Sequence, residues 1–183
     1  MKTTVLFIII CILPKLIQAQ VTEKSEYICS PCGCESDHKI FDVPGTCPSC
    51  SMTLLNKNDL NAGLKYENIY PADVCERLSQ NPDVLLLDVR SKDEFDGITS
   101  NLGRLKNAKH IHIADIEERV NEIELYKNKE IIVYCSISMR SPRVSKYLAD
   151  NGFTNVKNMM GGMTLWNQLT TDELGCKNKL LVK

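Results

Sequence analysis

One stretch limits the architecture of this chain more than any other: Ile131-Ile132-Val133-Tyr134-Cys135. Its first four residues are apolar and mostly β-branched, with no polar alternation. Such a run reads as a strand covered on both faces, as strands in a parallel sheet are. A loop, Ser136-Ile137-Ser138-Met139-Arg140, follows, and Ser141-Pro142 opens a helix. That order puts Cys135 at the carboxyl end of a strand, facing a helix N-terminus. Open α/β sheets place their ligand crevice there. Loop amides and the helix dipole favour an anion at that point, so they stabilise a thiolate, and Arg140 adds a positive charge. A nucleophilic sulfur beside an anion cradle supplies two parts of a sulfur- or phosphoryl-transfer site.

The flanking sequence alternates between strand and helix patterns. A helix over 72–79 carries Val74, Cys75 and Leu78 on one face, which makes Cys75 a small core residue. Val84 to Leu87 is a buried strand leading into Asp88-Val89-Arg90, and Ser91 with Glu94 forms a capping box. Gly97 to Asn107 has no clear period. Ala108 to Ile113 reads as a short strand, and Ala114 to Lys127 as an amphipathic helix with Ile116, Val120 and Ile123 inward. After the helix over 142–150, Asn151-Gly152 is a stop signal. A short strand over 154–156 precedes Gly161-Gly162 and a last helix bearing Trp166. The expected fold class is α/β: a mostly parallel sheet of about five strands with helices on both faces. Residues 56–66 read as a polar linker and 171–183 as a basic tail.

The N-terminus has the pattern of an export signal over 1–19: Lys2, an apolar run from Val5 to Leu13, Pro14, and a small-residue cleavage site at Ala19. The apolar run is too short to span a bilayer comfortably, although an uncleaved anchor is the alternative. Export means a periplasm if the cell has two membranes and secretion otherwise, with no stable membrane insertion after cleavage. The formal net charge of -1 argues against a nucleic-acid partner.

Nine cysteines are many for this length, and five of them, Cys29, Cys32, Cys34, Cys47 and Cys50, lie close together. Cys29, Cys32, Cys47 and Cys50 are spaced C-x2-C-x14-C-x2-C. Two such knuckles bring four thiolates to a tetrahedral centre suited to Zn²⁺ or another soft metal. A segment as short as 27–55 cannot build an adequate core alone, so a metal would hold it together. In an exported chain, disulfides are the alternative. Cys34 is a spare thiol that can substitute as a ligand. The segment resembles the small heavy-metal-binding domain found beside metal-transport proteins, through Tyr27, Cys29, Pro44-Gly45, Cys47-Pro48, Cys50 and Met52. Cys32 stands where that family has a histidine, and Ser51 replaces a glycine.

Residues 67–170 resemble a single rhodanese domain. The resemblance rests on Asp88-Val89-Arg90 with Asp93-Glu94-Phe95, on Cys135 through Arg140-Ser141, and on Gly161-Gly162-Met163 with Trp166. The loop is the Cys-x4-Arg of sulfurtransferases rather than the Cys-x5-Arg of related phosphatases. The resemblance implies that the Cys135 thiolate takes the outer sulfur of a donor such as thiosulfate, forms a persulfide, and passes the sulfur to a thiol or cyanide. No cofactor is required for that transfer. It implies that Ser136, Ile137, Ser138, Met139 and Arg140 surround the substrate. Arg140 either holds an anionic donor or braces the loop, and Asp88 and Arg90 support the loop from beneath. Two departures stand out. Ser138 replaces a loop glycine, which strains the backbone if φ is positive there. Gly103 to Ala108 lacks a histidine and a glycine of the family rim, and His110 and His112 lie near that rim. Two other functions remain open: a metal-handling or metal-sensing protein with the rhodanese fold as scaffold, and thiol redox work pairing Cys135 with a thiol such as Cys176.

Overall fold

The computed structural model describes residues 25–183, so the export signal expected over 1–19 lies outside the described residues. A small antiparallel sheet comes first. Its central strand, β1 (Tyr27–Ile28), is flanked by β2 (Ile40–Phe41) and β3 (Leu55–Asn56). Its buried cluster is only Cys29, Cys47 and Leu54, with Tyr27, Phe41 and two further cysteines packed against it.

The chain then alternates through β4 (Glu67–Ile69), α1 (Pro71–Gln80), β5 (Leu85–Asp88), α2 (Lys92–Phe95), β6 (Arg104–Leu105), β7 (Lys109–His110), α3 (Ile116–Arg119), β8 (Glu130–Tyr134), α4 (Ser141–Asp150), β9 (Asn155–Met159) and α5 (Gly162–Gln168). Five strands form one parallel sheet in the order β4-β9-β8-β5-β7. β8 sits at its centre with every residue buried. The two-residue pleat divides the apolar runs between the faces. Leu86, Ile132 and Tyr134 pack with Val74, Met159 and Trp166 on the side of α1 and α5. Leu85, Leu87, Ile131 and Val133 pack with Ile116, Ile123, Val144 and Leu148 on the side of α3 and α4. Burying one such aliphatic side chain stabilises by about 1.5–3 kcal/mol, so these two layers hold the sheet that carries the Cys135 loop.

Three local expectations change. The helix expected over 114–127 is broken into a 3-10 turn at Ile113–Asp115, the single turn of α3, and 3-10 helix over Val120–Tyr126. Ile116 and Ile123 are buried as expected, but three β-branched residues at core-facing positions weaken a continuous α-helix. The polar stretch over 56–66 is folded down: Asn61 Oδ1 accepts from the Asn68 amide at 2.6 Å, and Asn68 Nδ2 donates to the Leu60 carbonyl at 2.9 Å. The tail forms α6 (Thr171–Leu174), α7 (Lys177–Leu180) and β10 (Leu181–Val182), and β10 pairs antiparallel with β6. Cys75 and Cys176, 101 residues apart in sequence with Cα atoms 5.6 Å apart, form a disulfide. Cys75 does pack against the core, but as half of that cross-link rather than as a free thiol. Cys176 is accordingly not the partner of Cys135, which is free.

Candidate active site and thiol cluster

Cys135 leaves the sheet directly after β8. Its Sγ lies 3.5 Å from the Ser141 hydroxyl in the first turn of α4. Burial works against a charged sulfur. The Ser141 hydroxyl and the amides of Ser141, Arg140 and Ile137 outweigh it and hold Cys135 below its ordinary thiol value. A buried sulfur ringed by donors is one whose anion is favoured over that of an ordinary buried thiol.

The ring is braced from one side by Glu94. Arg140 donates from Nη1 and Nη2 to the Glu94 carboxylate at 2.6 and 2.8 Å, and the Ser136 hydroxyl donates to it at 2.7 Å. Glu94 therefore pins both ends of the loop. The Arg140 guanidinium comes first in holding its carboxyl well below the usual carboxylate range; the Ser136 hydroxyl and Ser91 add to this against burial. Both terminal nitrogens of Arg140 are engaged by Glu94, an arrangement that braces the loop. Ser138 has φ +61°, the left-handed conformation a glycine would adopt freely, and its hydroxyl donates to the Met159 carbonyl at 3.0 Å. Ile137 and Met139 form the exposed lip at 39 and 70 % exposure. The other side of the ring is closed by α5. The amides of Met163 and Thr164 donate to the carbonyls of Cys135 and Ser136, each at 2.9 Å. Gly162, at φ +54°, sits so near that a Cβ would collide with the Cys135 carbonyl, which explains the glycine there.

Asp88 and Arg90 are fully buried and pair with each other at 2.7 Å, and Arg90 Nη2 reaches the Gly103 carbonyl at 2.8 Å. Their contact is with the Gly103 carbonyl, next to the strand that β10 pairs with, whereas Ser136 and Arg140 of the Cys135 loop bond to Glu94. His110 Nε2 donates to the Arg90 carbonyl at 2.8 Å and its ring stacks on Phe95. Glu94 had a sequence signal only as a helix cap and a motif residue; its pairing with Arg140 spans 46 residues.

The second sulfur site lies in the N-terminal sheet. The Sγ atoms of Cys29, Cys32, Cys34 and Cys50 all fall within 4.8 Å of one another. Cys29 to Cys50 is 3.4 Å and Cys29 to Cys34 is 3.9 Å. Four sulfurs at 2.3 Å from one ion are about 3.8 Å apart, so this donor set fits a tetrahedral soft cation. Three of the expected ligands, Cys29, Cys32 and Cys50, belong to the quartet. Its fourth member is Cys34, and Cys47 lies alongside at 3.9 Å from Cys34 Sγ. A turn at Gly33 (φ +93°) folds Cys34 inward, and the buried Asp37 carboxylate fixes it by accepting the amides of Cys32 and Gly33 at 2.9 and 2.6 Å.

Residues 71–169 match the rhodanese-like domain family, and the chain belongs to it. The Bacillus subtilis protein YtwF is 33 % identical over 103 residues, covering 56 % of this chain and 92 % of that one. The thiosulfate sulfurtransferase GlpE of Coxiella burnetii is 27 % identical over 103 residues, covering 56 and 89 %. The crystal structure of reduced Bacillus anthracis CoADR-RHD shares the fold, with a TM-score of 0.50 at 21 % identity over 64 % of this chain and 18 % of that one.

Proposed function

We propose that the protein is an exported sulfurtransferase that moves a sulfane sulfur from a small donor such as thiosulfate to a thiophilic acceptor through a persulfide on Cys135. The observation that carries this reading is the buried Cys135 sulfur at the end of β8, 3.5 Å from the Ser141 hydroxyl, where that hydroxyl and three amides lower its pKa. The thiolate attacks the outer sulfur of the donor. A new S–S bond forms on Sγ, and the donor's own sulfur–sulfur bond breaks with its electron pair on the departing sulfite. The amides that faced one negative sulfur then face the next, as an oxyanion hole faces its oxygen. A thiolate or cyanide removes the outer sulfur and restores Cys135, which gives ping-pong order. Glu94 and Arg140 keep the ring closed through both halves, and Ser136 to Met139 form its wall. The Cys75–Cys176 cross-link accords with export, because disulfides persist in oxidising compartments.

The test is the intact mass of the mature protein after exposure to thiosulfate. A gain of one sulfur is expected, lost on adding cyanide or a thiol and absent in Cys135→Ser. No gain in protein with a free Cys135 overturns the reading. A second reading, a metal-handling protein that uses the rhodanese fold as scaffold, is favoured by the thiol quartet. In either reading Cys29, Cys32, Cys34 and Cys50, with Cys47 beside them, hold Zn²⁺ or another soft metal, whose bonds to sulfur would stabilise the small sheet. Metal analysis together with the mass experiment separates the two.

A further inference from the structure

We propose that the thiol cluster keeps one ligand in reserve. Cys29, Cys34 and Cys50 hold a soft cation together with either Cys47 or Cys32, and the exposed Cys32 is the thiol through which the ion enters and leaves. This rests on the metal-binding reading of the module given above. A tetrahedral soft cation takes four sulfurs. Among the described residues the module has five free thiols, Cys29, Cys32, Cys34, Cys47 and Cys50. In the quartet with Cys32, every sulfur lies within 4.8 Å of the others. Cys47 faces the same three partners: its Sγ is 3.9 Å from that of Cys34, and it interacts with the thiols of Cys29 and Cys50. Three thiols are thus common to two sets of four, and one place has two candidates.

The two candidates are built differently. Cys47 is 1 % exposed, and the amides of Ser49 and Cys50 donate to its sulfur. Its own amide donates to the Met52 carbonyl at 2.7 Å, and its carbonyl accepts from the Ser51 amide at 2.9 Å, which closes the turn around it. Donors aimed at a ligand sulfur fix its direction and support its charge. Cys32 is exposed, and the group beside its sulfur is the Asp37 carboxylate, with Oδ1 at 3.7 Å. The same oxygen lies 3.3 Å from the sulfur of Cys34, a ligand in both sets. A carboxylate beside a thiolate repels it. Cys47 is therefore suited to holding and Cys32 to exchange. On entry Cys32 loses its proton to water and binds first. Cys47 then displaces it, losing its own proton, and Cys32 is protonated again. Release runs in reverse. Every sulfur keeps its electron pair, so the exchange needs no oxidant or reductant.

The experiment loads full-length mature protein with Co²⁺ in the absence of oxygen and reads the sulfur-to-cobalt absorption, which grows with each thiolate bound. In parallel, Zn²⁺ is passed from the loaded protein to a chromophoric chelator and the rate is followed. Cys32→Ser and Cys47→Ser should each keep the wild-type absorption, because four thiols remain in either, and the double variant should lose about a quarter of it. Cys32→Ser should release Zn²⁺ about tenfold more slowly than the wild type, and Cys47→Ser about tenfold faster. Loss of absorption in either single variant overturns the shared place. Release from Cys32→Ser as fast as from the wild type overturns the role of that thiol in exchange. Wild-type protein that takes up neither ion overturns the metal-binding reading itself.

Discussion

Two regions of this molecule gather sulfur, and they treat it in opposite ways. At Cys135 a single buried sulfur faces N–H and O–H donors, and its pKa falls despite burial. In the N-terminal sheet the sulfurs face one another. Burial, then neighbouring thiols, raise Cys29, and burial together with the Asp37 carboxylate leaves Cys34 pushed up to about 12. Cys47 is drawn down, to about 6, where the amides of Ser49 and Cys50, with the Cys29 and Cys50 thiols, outweigh burial. The difference teaches what a thiolate needs. Donors from the backbone make an isolated sulfur a nucleophile. Sulfurs packed against sulfurs have too few donors, and a cation at their centre would do the same work for several at once.

The largest effect that can break this comparison would come from removing a cation bound by the proposed metal site. Chelating metal from reduced protein is expected to abolish hydrogen-exchange protection at Ile28 and Leu54 while β5 and β8 stay protected. Structural zinc contributes on the order of 10–16 kcal/mol in small cysteine modules, whereas the parallel sheet has its own two apolar layers. Unchanged protection at Ile28 in metal-free protein would mean that the module folds without a cation.

At the other site the support is an ion pair, and the next largest effect should come from Glu94→Gln. The exchange removes the charge that Arg140 and Ser136 share. The pair is partly open to solvent, so a stability loss of about 2 kcal/mol is expected, with persulfide formation about a hundredfold slower as the ring loosens. The pH dependence carries a sign. The native pKa of Glu94 is depressed, so its contribution is complete above the unfolded value of about 4.3 and is lost as pH falls below that towards the native one. Denaturant titrations of wild type and variant should converge in acid; a gap that persists to low pH would place the effect elsewhere.

These residues also show what could be seen beforehand. The central strand, the loop length and the expected strain at Ser138 are local properties of sequence, visible as an apolar run, a spacing and a missing glycine. The two faces of the sheet follow from the same runs. Glu94 was visible only as a helix cap and a motif residue, and Cys75 only as one residue of an apolar helix face. Their partners, Arg140 and Cys176, lie 46 and 101 residues away, and nothing local specifies such pairings. The thiol cluster shows a milder version. The knuckle spacing found the site, but the turn at Gly33 decides that Cys34 joins the quartet beside Cys29, Cys32 and Cys50.

A smaller effect concerns the donors at Cys135. Ser141→Ala removes the hydroxyl 3.5 Å from Sγ and keeps the amides. The alkaline-going limb of persulfide formation, read against pH, should lie below that of an ordinary thiol, near 8.5, in the wild type. It should move upward in the variant, because one of the groups favouring the anion is gone. A limb that stays put would assign the depressed pKa wholly to the backbone.

The smallest effect is at Ser138, where strain and a hydrogen bond act against each other. At φ +61° a side chain costs about 1 kcal/mol relative to glycine, and the bond from Oγ to the Met159 carbonyl returns a similar amount. Ser138→Ala keeps the strain and loses the bond, so it should destabilise by about 1 kcal/mol. Ser138→Gly loses both, and should stay within about 0.5 kcal/mol of the wild type. The two variants together isolate the terms that one alone would confuse. If alanine proves as stable as glycine, the loop relaxes out of the left-handed conformation without that side chain, and its shape is held by Glu94 and α5 alone.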